Sequence, residues 1–383
     1  MLRRLAAVLG LALASVAAPG APEPVRFHTP EASAEAHAQY RGLLARDERG
    51  DAAGLLAMIR TPHAVWLGDE GPARTEAEAR TVVRAAARQG TVPVLVLYDI
   101  PGRDCSGYSG GGAGTTAEYR AWIDAVARGV GGHRALLVLE PDAVALLPSD
   151  CGQDDAAGAR TAARYAELRY AVDALEPLAG AAVYLDAGHP GWHTVNTLTP
   201  RLIEAGAGRA TGFAVNVSNY HTDDASTWFG RLLASCLAYA AGGGDPAACP
   251  NQKWSRDTAR AWLAEHAAAI PAARTKHFVT DSSRNGRGPW TPPAGAYADP
   301  QDWCNPPGRG AGARPTADTG DPLHDARLWI KTPGESDGRC LRGTAGPEDP
   351  ERRTVDPAAG EWFPEQAVEL VRLATPTFPQ ATE

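Results

Sequence analysis

Seven short apolar runs, separated by segments of helical composition, limit most strongly what this chain can fold into. Several of the runs lack the alternation of apolar and polar residues that marks a strand with one solvated face. Such runs suit strands that are buried on both faces, as in a parallel sheet. They occupy residues 64–67, 92–97, 135–139, 181–185, 212–217, 277–280 and 328–330.

The segments between the runs are rich in Ala, Arg, Glu and Leu, which favour helices. Alternating strands and helices predict an α/β fold with right-handed crossovers. Seven strands are one short of a regular barrel, so we expect an incomplete barrel or a hidden strand. Since the chain has no linker and no fixed repeat, we predict a single domain of catalytic size. The predicted helices lie at 73–88, 117–129, 157–178, 224–240, 255–269 and 361–374.

The N-terminus has the features of a secretory signal peptide. The basic sequence MLRR precedes a short, alanine-rich apolar stretch that ends in small residues. We predict a signal peptide over residues 1–18, a flexible segment over 19–35 and a catalytic domain over 36–383. The alternative is a membrane anchor, for which the stretch is short. We therefore expect a secreted protein with no membrane segment in its mature form.

Charge and cysteine content narrow the function further. The net charge of −8, with no run of basic residues, argues against nucleic-acid binding and fits a neutral substrate better. An even number of cysteines in an exported chain predicts disulfides, and sequential pairing is favoured because each pair would close a local loop. The chain contains no CxxC motif, so we do not expect a zinc site. The cysteines are Cys105, Cys151, Cys236, Cys249, Cys304 and Cys340.

Polar residues follow the apolar runs, at the edge where parallel α/β folds place their active sites. Acids from separate strands would meet there in one cleft, although any single acid could instead cap a helix or lie in a solvated turn. The residues are Asp69, Glu70, Asp99, Asp104, Glu140, Asp142, Asp186, His189, Asn216, Asn219, Asp281, Ser282, Arg284, Asn285, Lys331, Glu335 and Asp337.

Two of these positions suggest acid and base chemistry. Asp142 lies in an apolar context, which should raise the pKa of its carboxyl and suit it to general acid catalysis; the alternative is a cap on a helix after Pro141. Lys331 precedes Glu335 and Asp337, and its charge would keep a carboxylate ionised. A charged surface turn is the alternative there.

Tryptophans at or just beyond strand ends can stack on sugar rings at the mouth of a cleft. One or two of them could instead fill the centre of a loop, and three other tryptophans are predicted to lie in the core. The strand-end set is Trp66, Trp192, Trp290 and Trp303, and the core set is Trp122, Trp262 and Trp329.

Eight segments together resemble glycoside hydrolase family 6, the secreted cellulases, in family order and over nearly the whole chain. They are YDIPGRDC (98–105), LEPD (139–142), YLDAGHPGW (184–192), NVSNY (216–220), DSSRNG (281–286), DWCN (302–305), RPTADTGD (314–321) and WIKTPGESDG (329–338). The resemblance implies a distorted seven-stranded parallel (β/α) barrel, similar to a TIM barrel. It also implies hydrolysis of β-1,4-glucan with inversion, without metal or cofactor.

The resemblance also assigns roles to individual residues. Asp142 corresponds to the catalytic acid, Asp104 to the aspartate that raises the pKa of the acid and helps to order water, and Asp337 to the proposed base. Electrostatics and sugar distortion are expected from Tyr98, Asp186 and Arg284. Stacking on glucosyl units is expected from Trp66, Trp192 and Trp303, and hydrogen bonds to hydroxyls from His189, Asn219, Lys331 and Glu335.

The same resemblance implies how the cysteines pair, and the sequence departs from some relatives at one position. The resemblance implies the pairs Cys105–Cys151 and Cys304–Cys340, which leaves Cys236 and Cys249 for each other. Ser336 stands where some relatives carry a cysteine, which shifts how a disulfide holds the loop of Asp337.

Endo cleavage depends on an open cleft. The short glycine-rich loop SGYSGGGAG after Cys105 favours an open cleft, although segment 339–360 could cover part of it. We therefore expect a monomeric endoglucanase whose Asp142 and Asp337 carboxyls lie about 6.5–9.5 Å apart, or slightly more. The alternatives are an exo-acting cellobiohydrolase of the same family, a non-catalytic carbohydrate-binding protein and a metal-dependent barrel hydrolase.

Overall fold

A computed structural model describes residues 24–68 and 70–378. The predicted signal peptide lies outside these residues, as does the predicted strand-end residue Asp69. None of the helices in the two described ranges is long and apolar enough to cross a membrane. Near the start of the described chain, Phe27 is buried and forms a bridge with Val92.

Seven parallel strands form one sheet in which each strand pairs with the next in sequence. This confirms the predicted seven-stranded parallel fold. The strands are Val65–Leu67 (β1), Val94–Leu97 (β2), Ala135–Leu139 (β3), Ala181–Asp186 (β4), Gly212–Val215 (β5), His277–Asp281 (β6) and His324–Leu328 (β7).

The barrel is incomplete between its first and last strands. Within the described residues, no ladder joins β7 to β1. Two hydrogen bonds connect the ends instead: the Ala64 N–H donates to the Trp329 carbonyl, and the Trp66 indole N–H donates to the Ile330 carbonyl, both at 2.9 Å. The sheet is therefore curled but open along this seam, which is the distortion that we expected.

Nine α-helices accompany the strands in the described residues. Six of them correspond to predicted helices, with ends that differ by a few residues. The helices are α1 (Ala34–Ala45), α2 (Arg49–Ile59), α3 (Pro72–Gln89), α4 (Thr116–Val130), α5 (Ala159–Leu175), α6 (Val195–Glu204), α7 (Asp223–Ala241), α8 (Arg256–Glu265) and α9 (Pro364–Arg372).

Helices α1, α2 and α6 and the position of β7 were not predicted. Helix α6 contains Pro200, which usually interrupts a helix, so its sequence does not indicate one. Strand β7 precedes the apolar run at 328–330 because its buried and partly exposed residues alternate from His324 to Leu328. Such alternation is typical of a strand with one solvated face, and a search for continuous apolar runs misses it.

Both faces of the sheet are buried along its central strands. Val96, Val138 and Val279 belong to a cluster of strand and strand-end residues on one face. Leu97 and its neighbours on the other face pack against helices, including the fully buried Trp122. This confirms the expectation drawn from the continuous apolar runs.

All three disulfides pair sequentially, as we expected: Cys105–Cys151, Cys236–Cys249 and Cys304–Cys340. The first ties the loop after β2 to the loop after β3. The third ties the chain around Trp303 to the loop after Asp337. Two disulfides therefore hold the loops that carry the predicted acids.

Candidate active site

A cleft of about 790 Å³ lies where the loops leave the carboxyl ends of the strands. All three predicted catalytic residues line it, together with all but two of the predicted sugar-binding residues. The predicted residues that line it are Trp66, Tyr98, Asp104, Asp142, His189, Trp192, Asn219, Trp303, Lys331, Glu335 and Asp337.

The two remaining predicted residues, Asp186 and Arg284, are buried beneath the cleft. One carboxylate oxygen of Asp186 accepts the backbone N–H groups of Asp142 and Gly188, both at 2.9 Å. The guanidinium of Arg284 donates to Asp337 Oδ2 at 2.9 Å. Both residues therefore act on the cleft through the acids that they hold, rather than by lining it.

Two further strand-end acids bind backbone rather than line the cleft. Glu140 is fully buried, and its carboxylate accepts the N–H groups of Asp99 and Ile100, which begin the loop after β2. Burial raises the pKa of Glu140 to about 8 against the opposing effect of these N–H groups. Glu140 thus joins the ends of β2 and β3.

Asp281 joins three loops in the same way. It is fully buried at the end of β6, and its two carboxylate oxygens accept four backbone N–H groups within 3.2 Å. The donors come from the loops after β5, β6 and β7: Ser218, Ser283, Ile330 and Lys331. These loops carry Asn219, Arg284 and Lys331, so one carboxylate fixes the backbone beside three predicted site residues.

Asp142 is a half-buried carboxyl held by a strained backbone. Its φ of 69° lies in the left-handed region, and the Asp186 carboxylate holds its N–H. No described residue donates a hydrogen bond to its carboxyl, and no helix begins there, so the helix-cap alternative is wrong. Burial, followed by the charges of Asp186 and Asp104, raises the pKa of Asp142 well above its ordinary value.

Asp104 lies near this acid, on the loop after β2. Its Oδ2 accepts the N–H of Ser109 at 2.9 Å, which holds the loop in a tight turn. Burial raises the pKa of Asp104, while the Ser109 N–H and the Arg103 charge oppose the rise. The half-buried Tyr98 phenol lies near both aspartates, and burial followed by their charges raises its pKa.

Asp337 is an ion-paired carboxylate. Its Oδ2 accepts hydrogen bonds from the Arg284 guanidinium at 2.9 Å, the Tyr220 hydroxyl at 3.1 Å and the Asn305 N–H at 3.0 Å. Arg284 is fully buried and Asp337 is 8% exposed, so solvent screens the pair weakly. The charged-turn alternative for this loop is therefore wrong.

The cleft also contains the aromatic and polar groups expected for a sugar site. Trp192 and Trp303 are among the most exposed large apolar side chains, at 36% and 41%. Lys331 lies 5.9 Å from the Trp66 ring and 3.7 Å from Glu335. Trp290, by contrast, packs on the guanidinium of Arg342 away from the cleft.

Sequence reasoning missed several lining residues, of which His221 and Tyr108 make informative contacts. His221 stacks on His189 with ring centroids 4.7 Å apart. Burial, then His221, lowers the pKa of His189 to about 3, so its ring is neutral. Because His189 Nδ1 accepts the Gly191 N–H, its Nε2 carries the proton that could reach a sugar hydroxyl.

Tyr108 lies in the glycine-rich loop that was expected to leave the cleft open. Its hydroxyl donates to Gln301 Oε1 and accepts the Leu341 N–H, both at 3.2 Å. Its ring lies 6.1 Å from Trp303. The loop therefore reaches two chain segments remote from it in sequence, further than its length suggested.

The family is decided by comparison with known proteins. The model of the family described as glycosyl hydrolases family 6 matches residues 23–374. The chain belongs to glycosyl hydrolase family 6. The resemblance drawn from the sequence motifs is thereby confirmed.

Relatives within family 6 include both endoglucanases and cellobiohydrolases. Endoglucanase A of Cellulomonas fimi is 37% identical over 325 residues, 85% of this chain and 57% of that protein. Endoglucanase 1 of Streptomyces halstedii is 34% identical over 96% of this chain and 97% of that protein. A probable 1,4-β-D-glucan cellobiohydrolase C of Neosartorya fischeri is 33% identical over 84% of this chain and 72% of its own length. The chain spans less than two thirds of the first of these proteins.

A solved family-6 structure matches the fold closely. The endoglucanase Cel6 from Mycobacterium tuberculosis, in complex with methyl-cellobiosyl-4-deoxy-4-thio-β-D-cellobioside, is 35% identical with a TM-score of 0.69. The match covers 92% of this chain and 98% of that one.

One group of potential metal ligands occurs among the described residues. Oxygen or sulfur atoms of Cys340, Asp349 and Asp356 lie within 4.8 Å of one another. Cys340 forms a disulfide with Cys304, and both carboxylate oxygens of Asp349 bind Arg342 at 2.9 Å. The disulfide and the ion pair therefore already engage Cys340 and Asp349, and both hold segment 339–360 in place.

Proposed function

We propose that this chain is a secreted endo-β-1,4-glucanase that inverts the anomeric carbon. The observation that supports it most is the pairing, in one cleft, of a half-buried Asp142 of raised pKa with an ion-paired Asp337. The relatives include both an endoglucanase and a probable 1,4-β-D-glucan cellobiohydrolase, which supports a β-1,4-glucan as the substrate.

Asp142 would protonate the glycosidic oxygen. A general acid must hold its proton at the working pH, and burial beside Asp186 and Asp104 favours the protonated carboxyl. The bond between the Asp142 N–H and Asp186 fixes where the carboxyl points. As the glycosidic bond breaks, the proton moves to the leaving hydroxyl and Asp142 becomes a carboxylate.

Water would attack the opposite face of the sugar, on the side of Asp337. An inverting enzyme leaves room for that water, so we expect the Asp142 and Asp337 carboxyls about 6.5–9.5 Å apart or slightly more. Asp337 would accept the proton of the water and stabilise positive charge at the anomeric carbon. Asp104, on the Asp142 side of the cleft, would help to order the water.

The remaining lining residues would bind the glucan chain. Indole rings offer flat faces for the apolar sides of glucosyl units. Polar groups around the rings would bond hydroxyls and set the register of the chain. We assign stacking to Trp66, Trp192 and Trp303, hydroxyl binding to His189, Asn219, Lys331 and Glu335, and electrostatic support to Tyr98, Asp186 and Arg284.

An exo-acting cellobiohydrolase is the second candidate, and one observation favours it. Tyr108 bonds to Gln301 and Leu341, and Ala359 of segment 339–360 lines the cleft, so two loops could cover a bound chain. We keep endo action as the main proposal because several relatives that match most of this chain are named endoglucanase.

Three disulfides in the described residues support secretion, since disulfides persist in oxidising compartments. We further propose cleavage of residues 1–18, a flexible N-terminal segment at 19–35, a catalytic domain at 36–383 and action as a monomer without metal or cofactor.

The test compares the fall in carboxymethylcellulose viscosity with the release of reducing ends. For the wild type we expect viscosity to fall steeply while few new ends appear. Asp142→Ala should lower activity on the order of 10²–10⁴-fold, the usual contribution of a general acid. Asp173→Ala, which breaks an exposed pair with Arg209, is the matched control and should keep full activity.

Other outcomes select the alternatives. Slow viscosity loss with many new ends would favour exo action, and tight oligosaccharide binding without turnover would favour a binding protein. Loss of activity in a chelator would favour a metal-dependent hydrolase. Proton NMR of fresh products should show the α anomer first, and an initial β anomer would refute inversion.

A further inference from the structure

Asn305, which follows the third disulfide, makes an unusual number of buried hydrogen bonds beside Asp337. It is fully buried. Its Nδ2 donates to Ser336 Oγ at 3.0 Å, and to Gly338 O and Asp356 Oδ2 at 2.9 Å. Its side chain therefore binds the residues on both sides of Asp337 and also segment 339–360.

Asn305 and Asp337 also bind each other directly, in both directions. The Asn305 N–H donates to Asp337 Oδ2 at 3.0 Å, and Asn305 Oδ1 accepts the Asp337 N–H at 2.8 Å. One residue thus fixes both the backbone and the carboxylate of Asp337. Arg284 and Tyr220 complete the anchoring of Oδ2 from the other side.

This anchoring is unequal between the two carboxylate oxygens. Oδ2 of Asp337 accepts three hydrogen bonds, whereas no residue in the described ranges donates to Oδ1. Since Asp337 lines the cleft, Oδ1 is the oxygen left for water or substrate. Rotating the carboxylate would break all three bonds at once.

The backbone of Asn305 is itself adapted to this position. Its φ of 38° is positive, a conformation that asparagine tolerates better than most residues. Its neighbour Cys304 forms a disulfide with Cys340. The carbonyl of Asn305 itself accepts a hydrogen bond from the Arg352 guanidinium at 2.6 Å. The residue is therefore held independently of the side chain of Asp337.

We propose that Asn305 is a positioning residue that keeps Oδ1 of Asp337 directed at the attacking water. The inference rests on the proposed role of Asp337 as base. Asn305 does not line the cleft, so it acts on the reaction only through Asp337 and its loop.

The experiment is a double-mutant cycle with Asn305→Gly and Asp337→Asn on a soluble cello-oligosaccharide. Glycine keeps the positive φ and the N–H while removing the side chain. We expect Asn305→Gly to lower kcat on the order of 10²-fold, because small misplacements of catalytic groups cost about that much. KM should change less than about twofold, since the sugar-binding groups lie elsewhere.

The cycle distinguishes positioning from general structural damage. If Asn305 acts through Asp337, Asn305→Gly should cause little further loss in the Asp337→Asn background. An equal loss in both backgrounds would overturn the role of Asn305 alone. Wild-type activity in Asp337→Asn would overturn the proposed base, and the inference with it.

Two measurements guard against misfolding. Thermal melting of Asn305→Gly shows whether that variant folds, whereas Asn305→Asp is avoided because its new oxygen would face the Asp356 carboxylate to which Nδ2 now donates. Asn196→Ala is the matched control, because Asn196 also donates three bonds to loop carbonyls next to a disulfide. It should lower thermal stability without changing kcat, and an equal kcat loss there would refute a specific role for Asn305.

Discussion

At the residue scale, the environment of Asp142 determines when it can act as an acid. Burial is the main cause of its raised pKa, and the carboxylates of Asp186 and Asp104 add to it. Each neighbouring negative charge makes the loss of a proton from Asp142 less favourable. The pH dependence of activity should therefore respond to those neighbours.

We expect Asp104→Asn to move the basic limb of kcat/KM to lower pH by roughly one unit, since a nearby charge typically shifts a pKa by at least that much. The sign follows because removing a negative neighbour lowers the pKa of Asp142, which then loses its proton earlier as the pH rises. The measurement is the pH profile of kcat/KM on a soluble oligosaccharide. Asp302→Asn is the control, since Asp302 lines the cleft but does not raise the pKa of Asp142, and a shift to higher pH in Asp104→Asn would contradict the argument.

At the element scale, the glycine-rich loop after β2 contributes Tyr108, Ser109 and Gly110 to the lining of the cleft. Tyr108 ties it to the chain near Trp303 and to segment 339–360. A Cβ on Gly338 would lie 2.5 Å from the Cβ of Tyr108, so the contact depends on a glycine there. If this contact covers part of the cleft, we expect its loss to ease internal attack on a long glucan.

Tyr108→Ala should increase the viscosity lost per new reducing end by several-fold on carboxymethylcellulose. Turnover of short cello-oligosaccharides should change little, because these can enter from the side of the cleft. Tyr108→Phe keeps the ring but removes both hydrogen bonds, and it should give an intermediate ratio. An unchanged ratio in Tyr108→Ala would show that the contact does not limit access.

At the scale of the whole molecule, buried acids at the strand ends hold the sheet edge together and link folding to pH. Burial raises the pKa of Glu140 from 4.5 to about 8, and that of Asp186 rises for the same reason. The folded protein therefore holds protons that the unfolded chain has lost, and the free energy of unfolding falls as the pH rises through this window. His189 and His324, whose pKa values burial lowers, oppose this trend only below about 6.5.

We therefore expect the melting temperature to fall between pH 6.5 and about 8, where the raised pKa values of the acids contribute and the lowered pKa values of the histidines no longer do. Calorimetry at several pH values in this window measures the slope. Glu140→Gln should flatten the slope, even though it lowers stability overall by weakening a bond to the loop after β2. A melting temperature that is constant or rises across the window in the wild type would refute the linkage.

Much of the fold and of the candidate site could be predicted from local sequence. Continuous apolar runs indicated six strands, because a strand buried on both faces has no polar positions. Strand β7 was misplaced because its Asp325 and Arg327 face a partly solvated side. The resemblance of the motifs to family 6 located Asp104, Asp142 and Asp337, because each lies within a motif that matches the family.

The sequence by itself determined the parallel α/β fold, and its resemblance to family 6 supplied the disulfide pairs and the predicted catalytic and sugar-binding residues that line the cleft. It did not separate the acids that reach the cleft from those that hold it. Glu140, Asp186 and Asp281 stand at or directly after a strand end and point into backbone N–H groups, while Asp142 lies two residues beyond Glu140 and reaches the cleft. Only the tertiary structure decided this, because most of the N–H donors lie in loops after neighbouring strands, far away in sequence.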